Sequence, residues 1–360
     1  MADYIDEVMG FNPADVSAFN EPVERNYNAN IYKTNPKDAK SESGNYLSKV
    51  RIIYNPTNPK DSIVHRATYF IKDTQGGLLV KSRLGNGPSD PEFKNCPLFK
   101  AWKKLWFDSE NPANKERAKK YFDKTEEDYV LVQILEDINK PDEVGKFKAM
   151  KLPTAIKDKL AAKMNPSVDS KKVPYPVMDY VIGLELNMEV TPGPDDPSAP
   201  ERKQREISYN LCEFGDYAPI VRTDGESLFD DEQLELIDSY ATAFKDSTSA
   251  KTEAKKKAAQ KQLEELRPQL KELYKIAYDY VKENCGFNLR EEVGYTPWDE
   301  NTEKRVNNWI KVVLAGKNPE TTTVEDLERP EGTVAAPVTT EVTESPVPTD
   351  FPQASDDLPF

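Results

Sequence analysis

The 360-residue sequence contains one histidine, three cysteines and 15 glycines. The only histidine, His65, lies inside a predicted strand, where no partners for a Ser/His/Asp arrangement are evident. The cysteines Cys96, Cys212 and Cys285 are odd in number and widely spaced, which does not indicate a disulfide framework. The glycines at 85–88 are not followed by the Lys-Ser/Thr pair of a phosphate-binding loop. We therefore expect a protein that is not an enzyme.

Long apolar runs are also absent. No stretch approaches the roughly 20 apolar residues that a bilayer-spanning helix needs. The N-terminal sequence MADYIDEVMGFNP lacks the basic region and apolar run of a signal peptide. Together with the absent disulfide pattern, these features favour a soluble protein in a reducing compartment.

The net charge of -14 is spread unevenly along the chain. Residues 318–360 contain ten acidic residues and one basic residue, which leaves a net charge of -5 for the rest. The overall composition, 37% hydrophobic and 31% charged, is lean for a protein that packs along its whole length. An acidic net charge therefore says little about the charge of any particular surface.

The apolar pattern divides the chain into four parts. We expect an N-terminal arm at 1–45, a core of short strands with helical insertions at 46–225, a helical region at 226–316 and a disordered acidic tail at 317–360. The strongest strand pattern is DYVLVQILEDI. Because the strands do not alternate regularly with helices, a small β-barrel is favoured over a parallel α/β sheet. The predicted fold class is α+β.

One segment of this acidic chain is basic and aromatic. From Lys94 to Lys124 there are nine Lys/Arg against four Asp/Glu. Such a combination is typical of single-stranded nucleic-acid binding, in which cations neutralise phosphates and aromatic rings stack on bases. The alternative is an amphipathic helix whose tryptophans are core and whose lysines are merely solvated, and for Trp102, Leu105 and Trp106 we favour it. The candidate contacts here are Lys100, Lys103, Lys104, Lys119, Lys120, Tyr121, Phe122 and Lys124.

A second basic stretch follows the strongest strand. Its sequence places only Asp158 among six lysines, which are Lys146, Lys148, Lys151, Lys157, Lys159 and Lys163. We take Lys146 and Lys148 as further candidate contacts for phosphates.

The order of these segments resembles the single-stranded DNA-binding (helix-destabilising) proteins of T4-like phages. The matching stretches are KVRIIYNP, IVHRATYF, NCPLFKAW, the segment 128–164 and YVIGLELNMEV. The resemblance covers roughly 46–190, and the order and spacing of the motifs carry it. It implies an OB-type β-barrel with a basic, aromatic-lined cleft for single-stranded DNA, in a protein of the infected bacterial cytoplasm.

The resemblance also implies roles for individual residues. Arg51 matches a cleft arginine of the first strand, Tyr129 matches a stacking aromatic on the central strand, and Lys124 falls near a basic position. Tyr121 or Phe122 replaces another stacking aromatic.

Two departures from the family pattern alter what is expected. The family's zinc site uses one histidine and three cysteines; His65 and Cys96 remain, but Phe99 stands where a second cysteine would be. Because two ligands do not close a tetrahedral site, we expect no zinc and no other cofactor, with apolar packing around Leu98, Phe99, Trp102 and Trp106 instead. The first 20 residues also lack Lys and Arg, which puts the family's route of self-association on DNA in doubt.

The sequence closes with SDDLPF, which is similar to the acidic tip of bacterial single-stranded DNA-binding proteins. We expect Asp356, Asp357, Leu358, Pro359 and Phe360 to bind replication, recombination and repair proteins, with the ring in an apolar pocket and the carboxylates on a basic rim. The same tail is also expected to compete for the basic cleft when DNA is absent.

These features predict a phage protein that coats and protects single-stranded DNA. The alternative is a structural or scaffolding phage protein that uses its basic helix and acidic tail for protein contacts. RNA as the ligand stays open at the level of sequence.

Overall fold

The computed structural model describes residues 30–81, 96–107, 111–167, 173–193, 198, 207–250, 252–293 and 298–328. Its strands are β1 (Ile31–Tyr32), β2 (Tyr46–Ile53), β3 (Ile63–Asp73), β4 (Gly76–Lys81), β5 (Lys124–Asp137), β6 (Phe147–Lys151), β7 (Leu184–Val190) and β8 (Glu213–Tyr217). Its helices are α1 (Pro97–Trp106), α2 (Pro112–Tyr121), α3 (Thr154–Met164), α4 (Asp231–Ser249), α5 (Glu253–Asn284), α6 (Leu289–Val293), α7 (Glu300–Leu314) and α8 (Val324–Glu328). The predicted α+β class is confirmed.

Strand β5 organises the sheet. Its first half pairs antiparallel with β3 and its second half with β2, so these two strands follow one another along the same edge of β5. Strand β6 pairs with the opposite edge of β5. Strands β7 and β8 extend the sheet beyond β2, and β4 extends it beyond β3. The hydrogen bonds between the described strands leave this sheet open, because β1 and β8 end it without pairing to each other.

The predicted N-terminal arm is too long by at least 15 residues. Strand β1 pairs in parallel with β6, and Tyr32 is buried there. The Tyr32 hydroxyl donates to Asp137 Oδ2 at 2.7 Å, and the Tyr46 hydroxyl donates to the same oxygen at the same distance. Strand β1 therefore belongs to the sheet, although the Asn, Pro and Lys content of residues 30–45 gave no strand signal.

Two apolar clusters hold the fold together. The larger one, here the sheet core, joins β2, β5, β6 and β7 to α3, α4, α5 and α6. The smaller one, here the hairpin core, joins the β3–β4 hairpin to α1, α2 and α7. Its buried members are Tyr69, Ile71, Val80, Cys96, Leu98, Ala101, Leu105, Ala118, Phe122, Val306, Trp309, Ile310 and Val313. Helices of the predicted region 226–316 thus contribute to both cores.

Local sequence signals explain several helix ends. Helix α4 begins with a capping box in which Asp230 and Gln233 each accept a hydrogen bond from the other's backbone N–H. Gly286 and Gly316 follow α5 and α7 with φ angles of 68° and 80°, a left-handed conformation that glycine adopts at little cost. Within the described ranges, no helix combines the length and apolar character that crossing a bilayer requires.

Candidate nucleic-acid interface

Helix α1 divides its side chains among three stripes, because residues three and four apart share a helix face. A buried stripe faces the hairpin core and consists of Leu98, Ala101 and Leu105. A half-buried aromatic stripe beside it consists of Phe99, Trp102 and Trp106. The third stripe, here the basic stripe, is exposed and consists of Lys100, Lys103, Lys104 and Phe107.

The basic stripe lines an open depression of about 540 Å³. Phe107 is 68% exposed, and it lies at the end of α1 beside the three lysines. Within the described part of the chain, none of these lysines has an ion-pair partner. A polyanion can therefore approach three cations and one aromatic ring without first displacing a carboxylate of this chain's described residues.

The aromatic stripe supports α1 and is partly covered. The ring centres of Phe99 and Trp102 are 5.6 Å apart, and those of Trp102 and Trp106 are 5.5 Å apart, with both pairs stacked. All three rings pack against the hairpin core, as does buried Leu98. This matches the expectation of apolar packing in this subdomain and the preference for Trp102, Leu105 and Trp106 as core residues.

Helix α2 packs beside α1 and carries two further candidate lysines. Lys119 and Lys120 are exposed; Lys119 Nζ lies 3.0 Å from Glu116 Oε1, and Lys120 Nζ lies 4.9 Å from the Tyr121 ring centre. Their positions are compatible with phosphate contacts.

The two aromatics at the end of α2 face inward. Phe122 is buried, with its ring centre 5.1 Å from that of Trp309, and partly buried Tyr121 makes a similar edge contact at 6.2 Å. The assignment of Phe122 as a stacking residue is therefore wrong in this structure, since a buried ring has no free face. Tyr121 is committed mainly to the same core.

Arg51 is the clearest correction. It is fully buried on β2, and its guanidinium donates to the carbonyl oxygens of Tyr180, at 2.9 Å, and of Asp179. Gly183 passes so close that an added Cβ would lie 2.7 Å from Arg51 Nη2. Burial lowers the pKa of Arg51 to about 10, so the side chain is still charged at neutral pH. An arginine enclosed in this way supports the fold and cannot contact DNA.

Tyr129 is also covered. Its ring is 4% exposed, and the guanidinium carbon of Arg66 lies 4.6 Å from the ring centre. Arg66 donates to the Tyr129 hydroxyl and to Glu127, and the Tyr129 hydroxyl donates to Glu127 Oε2 at 2.9 Å. Because Arg66 and this network occupy the ring, the prediction that Tyr129 stacks on a base is wrong in this conformation.

The second basic stretch is largely neutralised by carboxylates that lie outside the stretch. The lysine nitrogens of residues 148, 151 and 159 lie 2.7–3.0 Å from carboxylate oxygens, and Lys157 is closer still. The pairs are Lys148–Glu143, Lys151–Glu127, Lys157–Asp128 and Lys159–Glu213. The reading that Asp158 alone opposes these lysines is therefore wrong, because strand pairing and packing bring other carboxylates to them.

Of the remaining candidates, Lys146 is the more exposed. Its side chain is 47% exposed and 4.0 Å from Glu143, whereas Lys148 is largely covered. Lys124 is ion-paired with Glu126. These three positions do not join the basic stripe in one cluster of free cations.

The acidic partners are held in their charged form. Burial alone would raise the pKa of Asp128, but hydrogen bonds from His65 and Lys157 outweigh it and lower the pKa below its ordinary value of 3.8. Burial likewise opposes ionisation of Glu127, and contacts with Lys151 and Arg66 lower its pKa. Both carboxylates therefore stay ionised and keep their cations occupied.

His65 and Cys96, the two residues that the resemblance relates to a zinc site, have other partners. His65 Nδ1 lies 2.9 Å from Asp128 Oδ1, and Cys96 is buried in the hairpin core. Among the described residues, no group of three or more His, Cys, Asp or Glu side chains is arranged to hold a metal ion.

The predicted docking residues Asp356, Asp357, Leu358, Pro359 and Phe360 lie outside the described residues.

Two exposed rings, Phe107 and Phe70, were not among the contacts predicted from the sequence. Phe107 closes the 100/103/104 periodicity of α1, which would have revealed it. Phe70 alternates with buried Tyr69 and Ile71 on β3, and this period of two places its ring on the exposed side of the strand.

Comparison of the chain with protein-family models and with curated proteins found no match.

Proposed function

We propose that this protein binds single-stranded DNA, which it coats and protects during phage replication, recombination and repair, without catalysing a reaction. The basic stripe carries the proposal. It combines three lysines that have no ionic partner in the described part of the chain with a ring that is 68% exposed. Phosphate neutralisation and base stacking need these two elements close together, and they require no fixed base sequence.

An OB-type barrel as the core is part of this proposal. The long strand β5 supports it, because β5 is shared by two successive strands on one edge and by β6 on the other. A shared strand of this kind allows a small antiparallel sheet to bend toward closure. We also propose that Asp356–Phe360 bind replication and repair proteins, on the basis of their sequence pattern alone.

A titration of fluorescent oligo(dT) at several salt concentrations tests the DNA-binding proposal. The variant K100A/K103A/K104A is expected to bind more weakly, with a salt slope reduced by about 2, because each lost phosphate contact in a single strand removes about 0.7. The matched control K255A/K256A/K257A removes the same charge from α5 and should bind like the wild type. These control lysines lie on a helix outside the basic stripe.

Absence of oligo(dT) binding at low salt, even after removal of residues 329–360, would refute the proposal and favour the scaffolding alternative. Equal losses in the two triple variants would show a general charge effect and remove the basic stripe as the site. Competition between matched DNA and RNA oligonucleotides decides which nucleic acid is preferred.

A further inference from the structure

The β3–β4 hairpin has an exposed apolar surface on the side away from the hairpin core. Phe70 and Leu79 are directly opposite each other in the strand register, and they are 56% and 65% exposed. Their sequence neighbours Tyr69, Ile71 and Val80 are buried on the other side. We call the exposed side, formed by Arg66, Thr68, Phe70, Lys72, Gly77 and Leu79, the outer face.

The ring of Phe70 is held in place by the backbone of the neighbouring strand. A Cβ added to Gly77 would lie 2.7 Å from Phe70 Cζ, so the ring occupies the space that a side chain at 77 would fill. Lys72 Nζ lies 5.8 Å from the centre of this ring. The outer face therefore presents a positioned aromatic ring with a cation beside it.

The hairpin itself is anchored firmly from behind. Arg305 on α7 makes two hydrogen bonds to the carboxylate of Asp73, at 2.6 and 2.7 Å. Trp309 Nε1 donates to the carbonyl oxygen of Lys72 at 2.8 Å. With the hairpin core behind it, the outer face does not need to become ordered before it binds a ligand, which lowers the entropic cost of binding.

The charges of the outer face favour an anionic ligand. Continuing from β3 onto β5 and β6, the same side of the sheet carries Arg66, Glu127 and Lys151. Glu127 is bound to both of these cations, and Asp73 is bound to Arg305. Lys72 is exposed and has no ion pair within the described residues. The carboxylates are therefore neutralised locally, while a lysine beside an exposed ring is not.

We propose that the outer face is a second contact for single-stranded DNA, in which one unpaired base stacks on Phe70 against Leu79 and an adjacent phosphate binds Lys72. This inference rests on the proposed DNA-binding function and adds a site that the basic stripe does not include. Helix α1 packs on the opposite side of the hairpin, so a bound strand passes around the edge of β4. Among the described strands, β4 pairs only with β3, so no described strand occupies this edge.

The two contacts predict different responses to substitution. Phe70→Ala should weaken oligo(dT) binding about five- to 150-fold, the range expected for loss of one stacked base. Because a ring releases no counterions, the salt slope should stay at the wild-type value, unlike that of K100A/K103A/K104A. Phe70→Trp, which keeps an aromatic ring, should bind oligo(dT) with an affinity close to that of the wild type. Ile138→Ala, which removes another exposed apolar side chain, serves as the control.

Each result has a defined meaning when circular dichroism shows that the variants are folded. If the wild type does not bind oligo(dT), the proposed function fails. If the wild type binds, K100A/K103A/K104A is impaired and both Phe70→Ala and Leu79→Ala bind normally, the function stands and the outer-face inference is overturned. The outer-face inference would also be overturned if Phe70→Ala and Leu79→Ala bound DNA normally but self-associated more weakly than the wild type in sedimentation. That result would assign the outer face to contacts with a second copy of the chain.

Discussion

Replacing Arg51 by methionine tests whether this arginine supports the fold or binds DNA. In the structure the guanidinium fills a closed space and satisfies the carbonyl oxygens of Asp179 and Tyr180. The Asp179 carboxylate accepts from the backbone N–H of Val181 and Ile182 at 2.8 and 2.9 Å, and from the Tyr274 hydroxyl at 2.9 Å. Arg51 thus compensates a buried carboxylate that fastens α5 to the sheet.

The expected loss follows from that environment. Replacing Arg51 leaves the buried Asp179 charge without its opposite charge and two buried carbonyl oxygens without a donor, and a loss of this kind costs about 3–5 kcal/mol of unfolding free energy. Burial raises the pKa of Asp179, and Arg51 opposes that rise. Loss of Arg51 should therefore raise this pKa further. The penalty should then shrink as the pH falls, because a protonated Asp179 needs no opposite charge.

Urea unfolding of Arg51→Met, measured from pH 8 downward, gives the stability change. Lys49→Met on the same strand removes a partly exposed cation paired with Glu136 at 2.8 Å, and it should cost less than about 1 kcal/mol. Folded Arg51→Met should bind oligo(dT) with the wild-type salt slope. Near-normal stability combined with a salt slope lower by about 0.7 would refute the reasoning and make Arg51 a phosphate contact.

Two further substitutions test other parts of the fold. Asp128→Asn should lower the free energy of unfolding at neutral pH. Because the folded pKa of Asp128 lies below its ordinary value of 3.8, the difference in stability from the wild type should disappear as the pH falls below 3.8. Acid-unfolding curves measure this difference. A difference that grew on acidification would contradict the pairing with His65 and Lys157. Trp309→Ala should cost about 3–5 kcal/mol in urea unfolding because it leaves a cavity in the hairpin core, whereas Phe107→Ala, at an exposed position, should change stability by less than about 0.5 kcal/mol. Equal effects of these two substitutions would contradict the assigned burial.

The sequence allowed prediction of those elements whose signal is local. The apolar strand pattern of β5 and the amphipathic pattern of α1 depend on each segment's own residues. The pairing of β1 with β6 was missed because a two-residue strand has no periodicity. Its place in the sheet depends on a partner more than 100 residues away.

The candidate site was only partly predictable for the same reason. The lysines of α1 were identified because basic and aromatic residues are concentrated within their own segment. The environment of Arg51 depends on a segment about 130 residues later, and the lysines at 151, 157 and 159 are paired with carboxylates on β5 and β8. Periodicity gives the face on which a side chain lies, but it does not give the residues that cover that face.

The position of α7 in the hairpin core has a consequence for how the protein is synthesised. The basic stripe ends at residue 107, whereas the helix that completes its support begins at Glu300, about 200 residues later. At about 5–20 residues per second, the ribosome needs roughly 10–40 s to make the intervening chain. Throughout that interval the apolar side of the hairpin lacks its last covering helix. Nascent chains stalled before residue 300 should therefore depend on chaperones, and release from them should coincide with the emergence of α7.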